Sequence, residues 1–284
     1  MGSAAKSRLR FRPLRATGLS RAFPAVLAVS FLFPVSRVFA QQSTGEPPEC
    51  NPARPTVATP ATLTPVGYLQ FENGGLYASG SGEFATQSSI NQVTKLAVNS
   101  RLQFLLLSEP FAHSQYAGGN SSSDPGGVSA GIQGVLREGK GMRPTISASY
   151  IRLLYGGAAP DIDIGTSKNG AILLVSTDMA GFHFDINGFV SEQTGAVVRR
   201  AQFGQTVSVS HPISKVTIGS ELWHFSQPLA RGNAIGSLWA VSYAPRKNLV
   251  VDAGFNRGLT STSTQWEGFA GFTYLLPHRL WRAR

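Results

Sequence analysis

The chain has 284 residues, of which only 14% are charged and 31 are glycine, and its mean hydropathy is near neutral. Past residue 40 the apolar runs are only a few residues long, as in Phe104-Leu105-Leu106-Leu107, which excludes a bundle of ~20-residue membrane helices. The formal charge of +10 is unevenly placed: residues 1–40 hold 7 of the 25 basic residues and no acid, leaving 18 basic against 15 acidic residues, +3, so a nucleic-acid partner has no support.

In chain order, Lys6, Arg8, Arg10, Arg12, Arg15 and Arg21 precede a short apolar run from Ala22 to Val35. Val38-Phe39-Ala40 then sets small residues where a signal peptidase reads. This layout predicts a secretory signal peptide over 1–40, cleaved after Ala40. A membrane anchor fits less well, because the run is short and carries two prolines. Gln41 to Pro65 is rich in Pro, Thr and Ala and has little periodicity, so 41–66 is expected to be an extended periplasmic lead-in. Cys50 is the only cysteine, which excludes a disulfide framework and predicts an unpaired thiol in a flexible segment.

From Gly67 the dominant signal has period two. Ala201, Phe203, Val207 and Val209 fall on one side of a strand, and Arg200, Gln202, Thr206 and Ser208 on the other. Phe182, Phe184, Ile186 and Val190 oppose His183, Asp185 and Asn187, with Phe189 out of phase. Trp266, Ala270, Phe272 and Tyr274 oppose Gln265, Glu267, Gly271 and Thr273, with Phe269 out of phase. About twelve strands follow, near 67–78, 89–97, 101–108, 126–137, 143–155, 170–179, 182–192, 199–210, 215–225, 234–244, 249–256 and 264–276.

Short connections alternate with long ones, the strands are long, and aromatics gather towards strand ends: Tyr68, Tyr77, Tyr155, Trp223, Phe225, Tyr243, Trp266 and Tyr274. A soluble sandwich shares the alternation but not these three features. They predict an all-β, antiparallel up-and-down transmembrane β-barrel of about 12 strands over 67–276, in the bacterial outer membrane, with both termini periplasmic. Residues 277–284 are a basic C-terminal tail. The prolines of the lead-in are expected to place it near or inside the periplasmic mouth.

No pair of histidines has metal-ligand spacing, and no cofactor is expected. Asp161-Ile162-Asp163-Ile164-Gly165 starts like a calcium loop but lacks the regular acidic ligands. His183 and Asp185 share a polar face, which admits a barrel-embedded hydrolase using His183 or His224. A hydrogen-bonded polar pair in the lumen is the plainer reading. The alternation phase gives Glu72, Gln133, Arg137, Asp185, Arg200, Gln202, Glu221, Asp252 and Glu267 as candidates to face the lumen. Both signs of charge occur, so they line a wet passage or pair across it as a plug. Arg199-Arg200 beside an outer loop is placed to meet lipopolysaccharide phosphates.

Arg54-Pro55-Thr56, Pro65-Val66-Gly67-Tyr68-Leu69-Gln70-Phe71-Glu72, Leu76-Tyr77 and the segment Thr94 to Leu107 resemble the outer-membrane transporters associated with meta-pathway phenol degradation. The resemblance extends through the strand layout to Tyr274. It implies a channel or uptake protein for small molecules, aromatic or hydrophobic ones included, and brings no catalytic residue. It departs from the family in the tail beyond Tyr274. The expected partners are outer-membrane lipid and lipopolysaccharide, the barrel-assembly machinery and a small-molecule solute. The alternatives in other classes are the hydrolase and a secreted all-β binding module. The outer loops 109–125 and 156–169 are expected to control access.

Overall fold

The structure is a computed structural model and describes residues 48–162, 166–195, 197–230 and 232–281. The predicted signal peptide, the start of the lead-in, residues 163–165 of the calcium-like loop and the last three residues of the tail lie outside the described residues.

Twelve strands form the wall: β1 (Leu69–Ser79), β2 (Thr86–Asn99), β3 (Leu102–Gln115), β5 (Val128–Arg137), β6 (Thr145–Tyr155), β7 (Thr166–Met179), β8 (Phe182–Thr194), β9 (Arg199–Ile213), β10 (Val216–Ser226), β11 (Asn233–Arg246), β12 (Leu249–Gly258) and β13 (Trp266–Leu275). The short β4 (Ser121–Asp124) is a flap on the outer end of β3, and β3 then pairs with β5. Neighbours are antiparallel throughout. β1 pairs with β13 from Gln70↔Leu275 to Ser79↔Trp266, which closes the cylinder. Closure leaves no edge strand, as a sheet in hydrocarbon requires.

Burial is inverted relative to a soluble protein. Gln70, Glu72, Gln103, Gln133, Asn187, Thr206 and Glu221 are fully buried inside. Phe104, Ile132, Leu173, Phe203, Leu222, Trp239, Phe255 and Phe272 are exposed outside. At ~25 cal/mol per Å² that exterior is unfavourable in water and favourable in a bilayer. The fold is therefore a transmembrane barrel, as the alternation predicts. Tyr77, Tyr155, Tyr243 and Trp266 sit on the outer surface towards strand ends, where Arg257 stacks 4.4 Å from the Trp266 ring centroid.

Four of the five periplasmic turns hold two residues, and the one between β5 and β6 spans 138–144. At the β7–β8 turn Ala180 and Gly181 have φ of 53° and 83°, the paired left-handed geometry of a two-residue hairpin. The tail folds back on the entry to β1: Leu280 N–H donates to Gly67 O at 2.7 Å, and Arg279 Nε to Val66 O at 3.0 Å.

Two expectations are corrected. Residues 109–115 are strand, not loop. Glu109 and Pro110 oppose the single Asn91 in a bulge, and the bulge accommodates a proline that has no N–H for the ladder. Trp223 and Phe225 are not part of an exterior girdle. They share the inward phase of Glu221, and Trp223 is buried in the lumen.

Candidate functional site

The lead-in runs inside the barrel, at or below mid-height, as a strap along the lumen wall. Asn51 N–H donates to Gln70 Oε1 of β1 at 2.8 Å, and Ala53 N–H to Glu72 Oε1 at 3.1 Å. Arg54 pairs with Asp252 of β12 at 3.1 Å. The amides of Val57 and Ala58 donate to the two oxygens of Glu221 on β10, at 2.7 and 2.8 Å. Thr59 exchanges hydrogen bonds with Asn187 of β8, at 2.6 and 3.0 Å. Ala61 N–H meets Ser176 of β7, its carbonyl accepts from Ser147 of β6, and Pro60 O accepts from Gln133 of β5. Thr64 N–H donates to Gln103 of β3 before the chain enters β1. The strap thus makes nearly one circuit of the wall.

The composition explains this path. Pro52, Pro55, Pro60 and Pro65 remove amide donors, and lumen carboxylates and carboxamides accept many of the rest. Small residues allow contact with the wall; Ala58 and Ala61 are fully buried. Cys50 lies at the periplasmic mouth, where its N–H donates to Lys247 O. Its thiol is free and half-buried, and burial pushes its pKa up to about 11, against a weaker opposing backbone hydrogen bond.

Of the residues singled out by phase, Glu72, Gln133, Glu221 and Asp252 hold the strap. Asp185 is buried beside it and accepts from Ser176. Gln202 lies higher and accepts from Gln193 Nε2 at 2.8 Å. Glu267 pairs in register with the buried Ala78 and Asn256, on the inward phase near the outer end. Arg200 shares the phase of buried Gln193 but is exposed at the rim. Arg137 is exposed and outside this set: a register shift between Val135 and Arg137 pairs it with Ile146, whose phase is outward. Sequence reasoning missed Lys95, which forms a buried ion pair with Glu72, and Arg54, whose role lies in the strap.

Above the strap the lumen turns aromatic. Phe189 and Phe225 have ring centroids 5.5 Å apart, and Trp223 and Phe225 5.7 Å. Trp223 Nε1 donates to Asn256 Oδ1 at 2.8 Å. Three rings lean over a neighbour without a side chain: a Cβ on Gly204 would lie 2.4 Å from Phe225, on Gly236 2.1 Å from Trp223, and on Gly254 2.6 Å from Phe269. Phe189 and Phe269, out of phase in the sequence, are therefore lumen residues. A cavity of about 280 Å³ borders Phe189, Phe225, Ile151, Leu153 and Gln202. An adjoining one of about 320 Å³ reaches Glu109 and Asp161.

The connection after β6 crosses the outer mouth. Ala158 N–H donates to Pro125 O at 2.9 Å, and Pro160 O accepts from Gln87 on β2 at 2.8 Å. Ile162 O accepts from Ser81 at 3.0 Å and from Thr264 at 3.4 Å, on the far side of the barrel. Burial raises the Asp161 carboxyl above its ordinary value, opposed by a hydrogen bond from Thr166.

Among the described residues His183 and His224 assemble no hydrolytic triad. His183 Nδ1 lies 2.7 Å from Asp178 and Nε2 3.3 Å from Asp185, so both ring nitrogens face carboxylates. Ser176 bonds Asp185 Oδ1, the same oxygen that faces His183 Nε2, instead of the imidazole, which is the wrong order for general-base catalysis. His224 pairs in register with Gln205 and Ile235 on the bilayer side. Among the described residues no group of three or more His, Cys, Asp or Glu side chains is arranged to hold a metal.

No family model matches the chain, and no curated relative matches it. Among solved structures, an outer membrane channel from Pseudomonas putida F1 superposes with a TM-score of 0.57 at 12% identity, covering 76% of this chain and 98% of that one. The NanC porin superposes with a TM-score of 0.54 at 12% identity, covering 72% and 100%. The likeness establishes the fold as that of outer-membrane β-barrels.

Proposed function

We propose that this barrel is an outer-membrane channel for the uptake of small apolar molecules, aromatic ones included, and that its own strap holds it closed at rest. The observation that carries this reading is the run of Phe189, Phe225, Trp223 and Phe269 lining the lumen directly above the strap. An apolar solute entering from outside would shed water there, gaining ~25 cal/mol for each Å² buried. The fold shared with an outer membrane channel and a porin supports a transport role, and the resemblance to the meta-pathway transporters supports the aromatic substrate class.

The test uses a variant whose only tryptophan is Trp223, made by replacing Trp239, Trp266 and Trp281 with Phe. Titration with phenol should quench its fluorescence saturably, and Phe189→Asp should weaken the effect about tenfold. Glucose should leave the signal unchanged. Quenching by glucose, or none by phenol, sinks the proposal.

A further inference from the structure

The bilayer-facing wall carries a polar break that neither strap nor lumen explains. Along β7 and β8 the outward pairs, from the periplasmic end, are Met179–Phe182, Thr177–Phe184, Val175–Ile186, Leu173–Gly188 and Ala171–Val190. The next is Asn169–Glu192. At about 3.4 Å per residue and a tilt near 40°, Glu192 stands ~26 Å above Phe182. The apolar band of such barrels is ~25 Å tall, so this row lies where outer-leaflet headgroups begin.

The polar groups of that row are organised. Tyr150 Oη donates to Asn169 Oδ1 at 2.8 Å, and Asn169 Nδ2 donates to Glu192 at 2.5 Å. Arg199 Nη1 lies 3.4 Å from the other oxygen of Glu192. Arg199 and Arg200 are exposed, as is Arg152, which is in register with Asn169. Just below, a groove of about 410 Å³ opens in the wall over Gly170, Ala171, Val190 and Ala201. Small side chains make the recess, and Tyr150 borders it.

We infer that this groove is a specific site for one lipopolysaccharide molecule of the outer leaflet. An acyl chain lies along Ala171, Val190 and Ala201, and a headgroup phosphate meets the outward guanidinium groups of Arg199 and Arg152 on the same row. The depth matches the ligand: apolar contacts end where the arginines begin. Guanidinium is suited to phosphate because its parallel N–H donors engage two oxygens at once. Glu192 is the only carboxylate lining the groove among the described residues, and its bond to Arg199 orients that side chain over the opening.

The experiment measures lipid binding to the purified full chain by native mass spectrometry. Lipopolysaccharide and phosphatidylglycerol are added in parallel. Wild type should retain one lipopolysaccharide and bind phosphatidylglycerol at least tenfold more weakly. Arg199→Glu with Arg152→Glu should cost at least tenfold in lipopolysaccharide affinity. Ala171→Phe, which fills the groove without changing charge, should do the same. Arg257→Glu, at another point of the outer rim, should bind as wild type does. Heat-modifiable migration shows that each variant is folded, and if the double charge reversal fails to assemble, Ala171→Phe decides. Equal affinity for the two lipids, or undiminished binding by the folded groove variants, overturns the site.

Discussion

Arg54 reaches Asp252 because Gly74 and Gly271 carry no side chain on the lumen face. A Cβ at Gly74 would lie 2.4 Å from the Arg54 guanidinium, and one at Gly271 2.8 Å from it. Gly75, one residue on, faces the bilayer and has nothing within 4 Å. Gly74→Val should therefore evict Arg54, leave Asp252 without its cation and loosen the strap, raising single-channel conductance several-fold. Gly75→Val should match wild type in the same planar-bilayer recording; a rise in both would trace the effect to the strand and not to Arg54. The phase of Glu72, Asp185, Glu221 and Asp252 was legible because alternation on a strand is strict. What each side chain touches was not legible, since Arg54 and Asp252 are 198 positions apart and no local pattern joins them.

The strap is an element without secondary structure, stabilised by the wall's side chains instead of its own backbone ladder. Its prolines announced an extended segment, and its amides donate to the lumen wall from Gln70 to Gln103. The circuit itself follows from lumen groups on seven or more strands and leaves no periodic trace. Pro110 shows the opposite failure: a proline beside a glutamate reads as loop, yet a bulge lets β3 continue. Glu221 is the clearest single anchor, because both its oxygens accept amide hydrogens. Glu221→Gln keeps one acceptor and turns the other into an N–H aimed at an N–H. That mismatch costs ~1–3 kcal/mol at a buried site, enough to raise the open probability of the strap about tenfold. Channel recordings should show longer or more frequent openings. The barrel's heat-modifiable band should persist, because the closing ladder from β1 to β13 does not involve Glu221.

Taken as one conduit, the molecule carries two obstructions in series. The strap lies at and below mid-height, and residues 156–162 cross the outer mouth on contacts with Gln87, Ser81 and Thr264. Resistances in series add, so removing one obstruction leaves the other limiting the current. Deleting residues 41–60 should raise conductance only until the outer crossing dominates, and replacing 158–162 with Gly-Ser residues should change little while the strap remains. The combined variant should conduct more than the sum of the two separate gains. Additive gains would mean parallel paths, and a full opening from the strap deletion alone would show that the outer crossing does not resist flow. The aromatic ring lies between the two obstructions, so a solute admitted past the outer crossing waits on lumen walls that favour apolar surface until the strap yields. The double variant should accordingly lose selectivity for phenol over glucose in liposome-swelling rates while keeping the phenol-dependent quenching of Trp223. The ring would still bind phenol but would no longer decide what passes.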